Sequence, residues 1–492
     1  MNQKVPLELL ATGVPGLDTL LGGGLPRFSF NIIAGSPGAG KTTLAHQIML
    51  GLANPERRAL YFTVLGEPPL KMLRYQQRYS FFDIDKVNSC VRFVSLAEEV
   101  ITGDFKTVLA RILQEVKAHS PALVFVDSFR SVILRGQQYA ESSASAQDLV
   151  QELAMHLTGW EATTFLIGEY GPSESESNPV FTVADGLIWL TQDVHRDSMV
   201  RKIEIKKMRG QAALPGLQTF RISDEGLRVF PRAIVDANLA SKSLAADSLL
   251  VLERMNIGVP ELDEMLGGGL PVGYSLLVAG PAGSGKSILA AAFLTEGVRQ
   301  GECGVIAAFE KTPSHSLGLA LQRLVQTGQI GVIDTRALDL TIDETLYGMT
   351  EMIQRLGARR VVIDSLSGYE LALAPRFREN FRESLYRMVA VLTGMGMTVL
   401  MTCELEDRYT DLRFSPYGAA FLTDAIIVQR YVEIESCLKR VMAVVKVRAS
   451  SHSDELRLFK ITSDGIEIGK ALSTYDGLLS GRPDPRGIAG QS

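Results

Sequence analysis

Two short stretches of the sequence have the residue types to hold phosphate, GSPGAGKT from Gly35 and GPAGSGKS from Gly280. Both fit G-x-x-x-x-G-K-[ST]. In that spacing the glycines let the backbone curl until successive N–H groups point at one anion, beside the N-terminus of the helix that follows. Lys41 and Lys286 are placed to reach the β- and γ-phosphates of ATP, and the hydroxyls of Thr42 and Ser287 to coordinate Mg²⁺. Ser36, Pro37, Gly38, Ala39, Gly40 and Thr43 complete the first expected phosphate site. Pro281, Ala282, Gly283, Ser284, Gly285 and Ile288 complete the second. A Gly-rich turn can be purely structural, but two complete matches, each between an apolar run and a helical segment, argue for nucleotide.

Asp127 and Asp364 close the apolar runs ALVFVD and RRVVID. A carboxylate is costly to bury without a partner, and in phosphate-loop enzymes an aspartate at this place orients Mg²⁺, usually through water. Lys207 with Arg209 in KKMRG, and Lys446 with Arg448 in VKVRA, stand two residues apart. On a strand that spacing puts both cations on one face. Alone, such a pair reads as a solvated edge strand; its repetition points to cations reaching a nucleotide, one bound by a neighbouring subunit.

These residues belong to a chain laid out twice. GVPGLDTLLGGGLP from Gly13 returns as GVPELDEMLGGGLP from Gly258, and the two phosphate loops share the same 245-residue offset. The aspartates and the K-x-R pairs recur at 237 and 239 residues, so loops have been trimmed between copies. This is duplication of a whole domain. A first domain is expected over 1–240, a linker over 241–250 within the polar stretch DANLASKSLAADSLL, a second domain over 251–473 and a short tail over 474–492. In each copy near-continuous apolar runs (FSFNIIAG, RALYFTV, ALVFVDS, ATTFLIGE; YSLLVAG, CGVIAAFE, RRVVIDS, MTVLMTCE) alternate with helical segments. Each copy therefore reads as an α/β domain, a mainly parallel sheet with helices on both faces and its ligand at the strand carboxyl ends.

With 492 residues the chain exceeds one compact core. Its 46% apolar and 21% charged residues are ordinary globular composition. A net charge of −5 provides no drive toward nucleic acid or an anionic membrane, although a local basic stripe is compatible with it. No basic segment precedes a long apolar run, and no window reaches about 18 apolar residues, so a soluble cytoplasmic protein is expected. Cys90, Cys303, Cys403 and Cys437 are scattered, as are the six histidines; neither zinc nor a disulfide framework is indicated, which leaves buried free thiols.

On its GLD…LLGGGLP openings, phosphate loops, aspartate strand ends and K-x-R strands, the sequence resembles the KaiC family, double-domain RecA-like ATPases, over nearly its whole length. The run LTDAIIVQRYVEIESCLKRVMAVVKVRASSHSDELRLFKITSDG is also similar to that family's second domain. The resemblance implies tandem RecA-like P-loop NTPase domains and a two-tiered homo-hexameric ring with ATP between neighbouring subunits. Lys207, Arg209, Lys446 and Arg448 would then act in trans. It also implies adjacent glutamates after the second core strand that activate water in the first domain. In the second, the matching carboxylate would deprotonate a protein hydroxyl for autophosphorylation. A KaiB-like or signalling partner follows from the same resemblance.

The sequence departs from that pattern in three places. Where the first domain should carry FEET it reads VLGEP, putting Leu65 and Gly66 at the acidic positions, as in a KaiC-like subgroup with a TTLS-type stretch. Glu67 stands one residue on, so it faces the opposite side of an extended strand, and only irregular backbone before Pro68-Pro69 would restore its reach. The second domain keeps Glu310 in AAFEKTP, with Lys311 favouring its ionised form. The serine-threonine pair phosphorylated in the clock protein falls on Ala420 and Phe421, neither of which accepts phosphate. An ATPase with turnover mainly in the second domain is therefore expected. A serine/threonine autokinase acting on Ser415 or Thr423 and a RecA-like DNA-dependent ATPase are the alternatives; for the latter the sequence has no helix-hairpin-helix or zinc-ribbon segment.

Overall fold

The computed structural model describes residues 7–64, 69–101, 105–132, 144–159, 161–174, 178, 180–195, 198–232, 253–309, 319–333, 340–379, 381–405, 422–463, 465–472, 475–476 and 484–485. The expected linker at 241–250, Glu67, Glu310, Ser415, Ala420 and Phe421 lie outside these residues. The chain divides into two compact units, Met1–Arg232 and Ala233–Ser492.

The first unit is built on a nine-stranded sheet of β1 (Phe30–Gly35), β2 (Ala59–Thr63), β3 (Val91–Ser95), β4 (Leu123–Asp127), β5 (Thr163–Glu169), β6 (Gly186–His195), β7 (Ser198–Met208), β8 (Gln218–Ser223) and β9 (Gly226–Phe230). Their spatial order is β3-β2-β4-β5-β1-β6-β7-β8-β9. The six strands from β3 to β6 run parallel, and β7 to β9 turn back antiparallel. Because the inner strands are covered on both faces, their side chains alternate between two cores rather than between core and water. Ile32, Phe62, Val124 and Leu166 fill one. Ile33, Tyr61, Phe125 and Phe165 fill the other, together with α1 (Lys41–Leu52), the helix after the first phosphate loop. A second helix, α2 (Pro69–Gln76), follows the segment that contains Glu67.

The second unit repeats this plan. Its strands are β10 (Ser275–Gly280), β11 (Gly304–Ala308), β12 (Ile330–Ile333), β13 (Arg360–Asp364), β14 (Thr398–Glu404), β15 (Ala425–Ile434), β16 (Cys437–Val447), β17 (Arg457–Thr462) and β18 (Gly465–Ala471). The order β12-β11-β13-β14-β10-β15-β16-β17-β18 reproduces the first sheet strand for strand, as duplication requires. Its phosphate-loop helix is α3 (Lys286–Arg299). Cys90 and Cys403 are buried, whereas Cys437 is exposed. That corrects the expectation of buried thiols: a tight turn with Glu435 and Ser436 at positive φ puts Cys437 at the tip of the β15–β16 hairpin.

Candidate nucleotide sites

Each phosphate loop springs from the carboxyl end of the central strand. In the first, Gly35, Gly38 and Gly40 all have positive φ, and Gly40 hands over directly to α1 at Lys41. A side chain at Gly35 would put its Cβ 1.9 Å from the Leu190 carbonyl oxygen, so this position requires glycine on two counts. Lys41 folds back so that Nζ donates to the Ser36 carbonyl at 2.8 Å and lies 3.9 Å from Glu169. Burial lowers the Lys41 pKa, and the charges of Glu169 and Asp127 oppose that shift. The second loop behaves alike, with Lys286 Nζ donating to the carbonyls of Gly280 and Pro281 at 2.8 Å each.

A cavity of about 690 Å³ opens over the first loop, lined among others by Lys41, Thr42, Asp127, Arg130, Glu169 and Arg201. The Thr42 hydroxyl donates to Asp127 Oδ2 at 2.8 Å, and so does the Tyr61 hydroxyl. Burial raises the Asp127 pKa; the two hydroxyls and Lys41 pull it back down, while Glu169 adds to the rise. The counterpart cavity, about 370 Å³, is lined by Lys286, Ser287, Asp364 and Glu404, with Ala282, Gly283 and Gly285 of the loop. There Asp364 is bonded by the Thr402 hydroxyl. In both units the peptide after the aspartate is cis.

The residues present fit a magnesium-bound nucleotide. A hydroxyl and a carboxylate at hydrogen-bond distance make a hard oxygen donor set of the kind Mg²⁺ takes. The buried Ser36 hydroxyl has no hydrogen-bond partner among the described residues, and it stands in the loop that would wrap a phosphate.

The K-x-R cations lie elsewhere. Arg209 donates to Asp185 Oδ1 at 3.0 Å, and Asp185 Oδ2 accepts from the Phe30 N–H, at the amino end of β1. Arg448 does the same through Asp424 to Ser275 at the start of β10. Lys207 Nζ donates to the Thr182 carbonyl and Lys446 Nζ to that of Thr423. Burial and then the neighbouring arginine lower the pKa of each lysine; Arg209 and Arg448 stand one residue past the strand ends at Met208 and Val447. Its own phosphate loop is at the far end of the central strand, roughly 16 Å away at five steps of about 3.3 Å, and none of the four cations lines the cavity of its own unit. Thr423 is fully buried, so in this fold its hydroxyl is not offered to a phosphate donor.

Sequence reasoning passed over several lining residues. Glu169 and Glu404 close the strands beside the two loops, paired with Gly35 and Gly280. Arg130 lies over the Tyr170 ring at 4.7 Å and bonds Glu174 at 2.7 Å. The terminal glutamates of FLIGE and LMTCE stood in plain sight, but only strand pairing carries them to the loops.

A strand, a Gly-rich loop, a helix and a strand-end aspartate, present twice in RecA-like sheets, define a tandem P-loop nucleotide-binding protein. The family model for the KaiC ATPase matches residues 10–234 and again 255–473, and the chain belongs to that family. It is similar to the circadian clock protein KaiC3 of Synechocystis sp., 26% identical over 97% of this chain and 95% of the relative. It is likewise similar to the circadian clock oscillator proteins KaiC 1 of the same organism, at 27% over 97% and 92%, and KaiC of Rippkaea orientalis, at 28% over 98% and 92%.

Proposed function

We propose that this KaiC-family ATPase binds Mg·ATP at both loops, retains it in the first domain and turns it over mainly in the second. Six copies would form a two-tiered ring whose nucleotide state sets its conformation and its affinity for a partner, a KaiB-like or signalling protein in the cytoplasm. The observation that carries the ring is the position of Lys207, Arg209, Lys446 and Arg448 at the opposite end of the central strand from their own loop. Cations held there serve a nucleotide only on an adjacent copy.

Within a site, Lys41 or Lys286 would hold the β/γ-phosphates on the loop N–H groups, and Thr42 with Asp127, or Ser287 with Asp364, would hold Mg²⁺. Bound Mg²⁺ offsets charge that builds on the phosphates. Glu310 orients the attacking water in the second domain. Leu65 and Gly66 have no group to do so in the first, which leaves Glu67 as the only carboxylate of that segment. Dividing 1–240 from 251–473 at a 241–250 linker makes each site separately removable.

The test is ATP turnover measured with oligomer mass for the wild type, Lys41→Ala, Lys286→Ala and Glu310→Gln. Lys41→Ala is expected to weaken ring assembly more than turnover, and Lys286→Ala and Glu310→Gln to remove most turnover. Wild-type turnover in Glu310→Gln would overturn the assignment.

A further inference from the structure

The two units restrain the strand-end aspartate by different means. In the first, both hydroxyl hydrogen bonds of Asp127, from Thr42 and Tyr61, fall on Oδ2. Among the described residues none bonds Oδ1, which leaves its lone pairs for a ligand. In the second unit the strand position of Tyr61 is taken by Ile306, which has no hydroxyl. Thr402 on β14 bonds Asp364 instead, and the matching position on β5, two residues before the strand-end glutamate, is Ile167.

Tyr61 is no part of the phosphate loop. It is fully buried, stacked on Phe125 at 5.8 Å between ring centroids, and Phe125 stacks on Phe165 at 4.7 Å. The His46 ring of α1 packs against it at 4.8 Å. A phenol so enclosed has no freedom to swing away, so its hydroxyl fixes the carboxylate that it bonds. Without that hydroxyl Asp127 would keep one side-chain donor among the described residues, from Thr42, and its carboxylate would turn more freely away from the position a divalent cation needs.

We propose that Tyr61 is a positioning residue for the Mg²⁺-binding carboxylate of the first site, and that Thr402 has the same task in the second. This rests on reading both loops as Mg·ATP sites. The metal dependence of the two sites is then set by separate hydroxyls and is separately adjustable.

The test uses the full-length chain with Lys286→Ala, which leaves the first loop intact, and titrates binding of a fluorescent ATP analogue against Mg²⁺. Adding Tyr61→Phe keeps the stacked ring and removes only the hydroxyl. The Mg²⁺ midpoint is expected to rise about 10- to 100-fold, the usual effect of losing an outer-shell partner, while Mg²⁺-free binding of the analogue stays as it was. A purely structural role would move both or neither. In the reciprocal chain with Lys41→Ala, Thr402→Val is expected to raise the midpoint and Tyr61→Phe to leave it alone. Unchanged midpoints with Tyr61→Phe in the first chain and Thr402→Val in the second overturn the proposal. If neither chain shows Mg²⁺-dependent binding before the second substitution is added, the underlying reading of the loops has failed and the inference falls with it.

Discussion

His46 on the first phosphate-loop helix should make the first unit acid-labile, and His46→Leu should remove that lability. The ring is fully buried; Gln76 on α2 is a polar side chain beside it, yet among the described residues neither ring nitrogen finds a hydrogen-bond partner. Burial disfavours the charged form and lowers the pKa from 6.5 to about 4. The unfolded chain therefore takes up a proton below pH 6.5 that the folded one refuses until about pH 4. Stability from this group is fully present above pH 6.5 and is lost as the pH falls through that window. At ~1.4 kcal/mol per pKa unit, the loss reaches about 2 kcal/mol at pH 5 and about 3 kcal/mol at pH 4. Leucine cannot take up the proton, and it replaces two buried, unsatisfied nitrogens, so it should cost little at pH 7. Other carboxylates, Asp127 included, titrate alike in both proteins and cancel in the comparison. The assay is denaturant unfolding at pH 7 and pH 5, followed by tryptophan fluorescence. Both tryptophans, Trp160 and Trp189, belong to the first unit, which makes the signal specific. Equal losses of stability on acidification in wild type and His46→Leu would refute the reasoning.

Gly35→Ala should abolish nucleotide binding at the first loop and destabilise that unit by at least about 2 kcal/mol, because backbone meets the new Cβ and cannot move aside as a side chain can. Melting of the variant with and without ATP measures both effects. Intact-mass measurement after incubation with ATP should show no phosphate-sized increment, since Thr423 is buried and Ala420 and Phe421 have no hydroxyl; a stoichiometric increment would restore the autokinase reading.

The domain plan was legible in the sequence because its signals are local. Glycine spacing, an acid ending an apolar run and a shared offset between copies need no tertiary knowledge, and the two identical strand orders agree with them. The side chains around those motifs were not legible in the same way. Tyr61, His46 and Thr402 sit inside stretches that read as strand or helix core, and only the pairing of β2 with β4 brings a phenol to Asp127. The K-x-R pairs stood out in the sequence by their repetition, whereas their distance from their own loop depends on which end of the central strand they reach. The VLGEP departure was visible from the sequence, and its residues 65–68 lie outside the described residues.

The aromatic stack from Phe165 through Phe125 to Tyr61 joins the hydrophobic interior of the first domain to the Asp127 carboxylate. Interior and site therefore cannot drift apart independently over evolution. Grafting the aliphatic interior of the second domain, Ile306 with Val362 and Leu400, into the first would fill space adequately yet strip Asp127 of a donor. That graft would have to bring a threonine at position 167 as well.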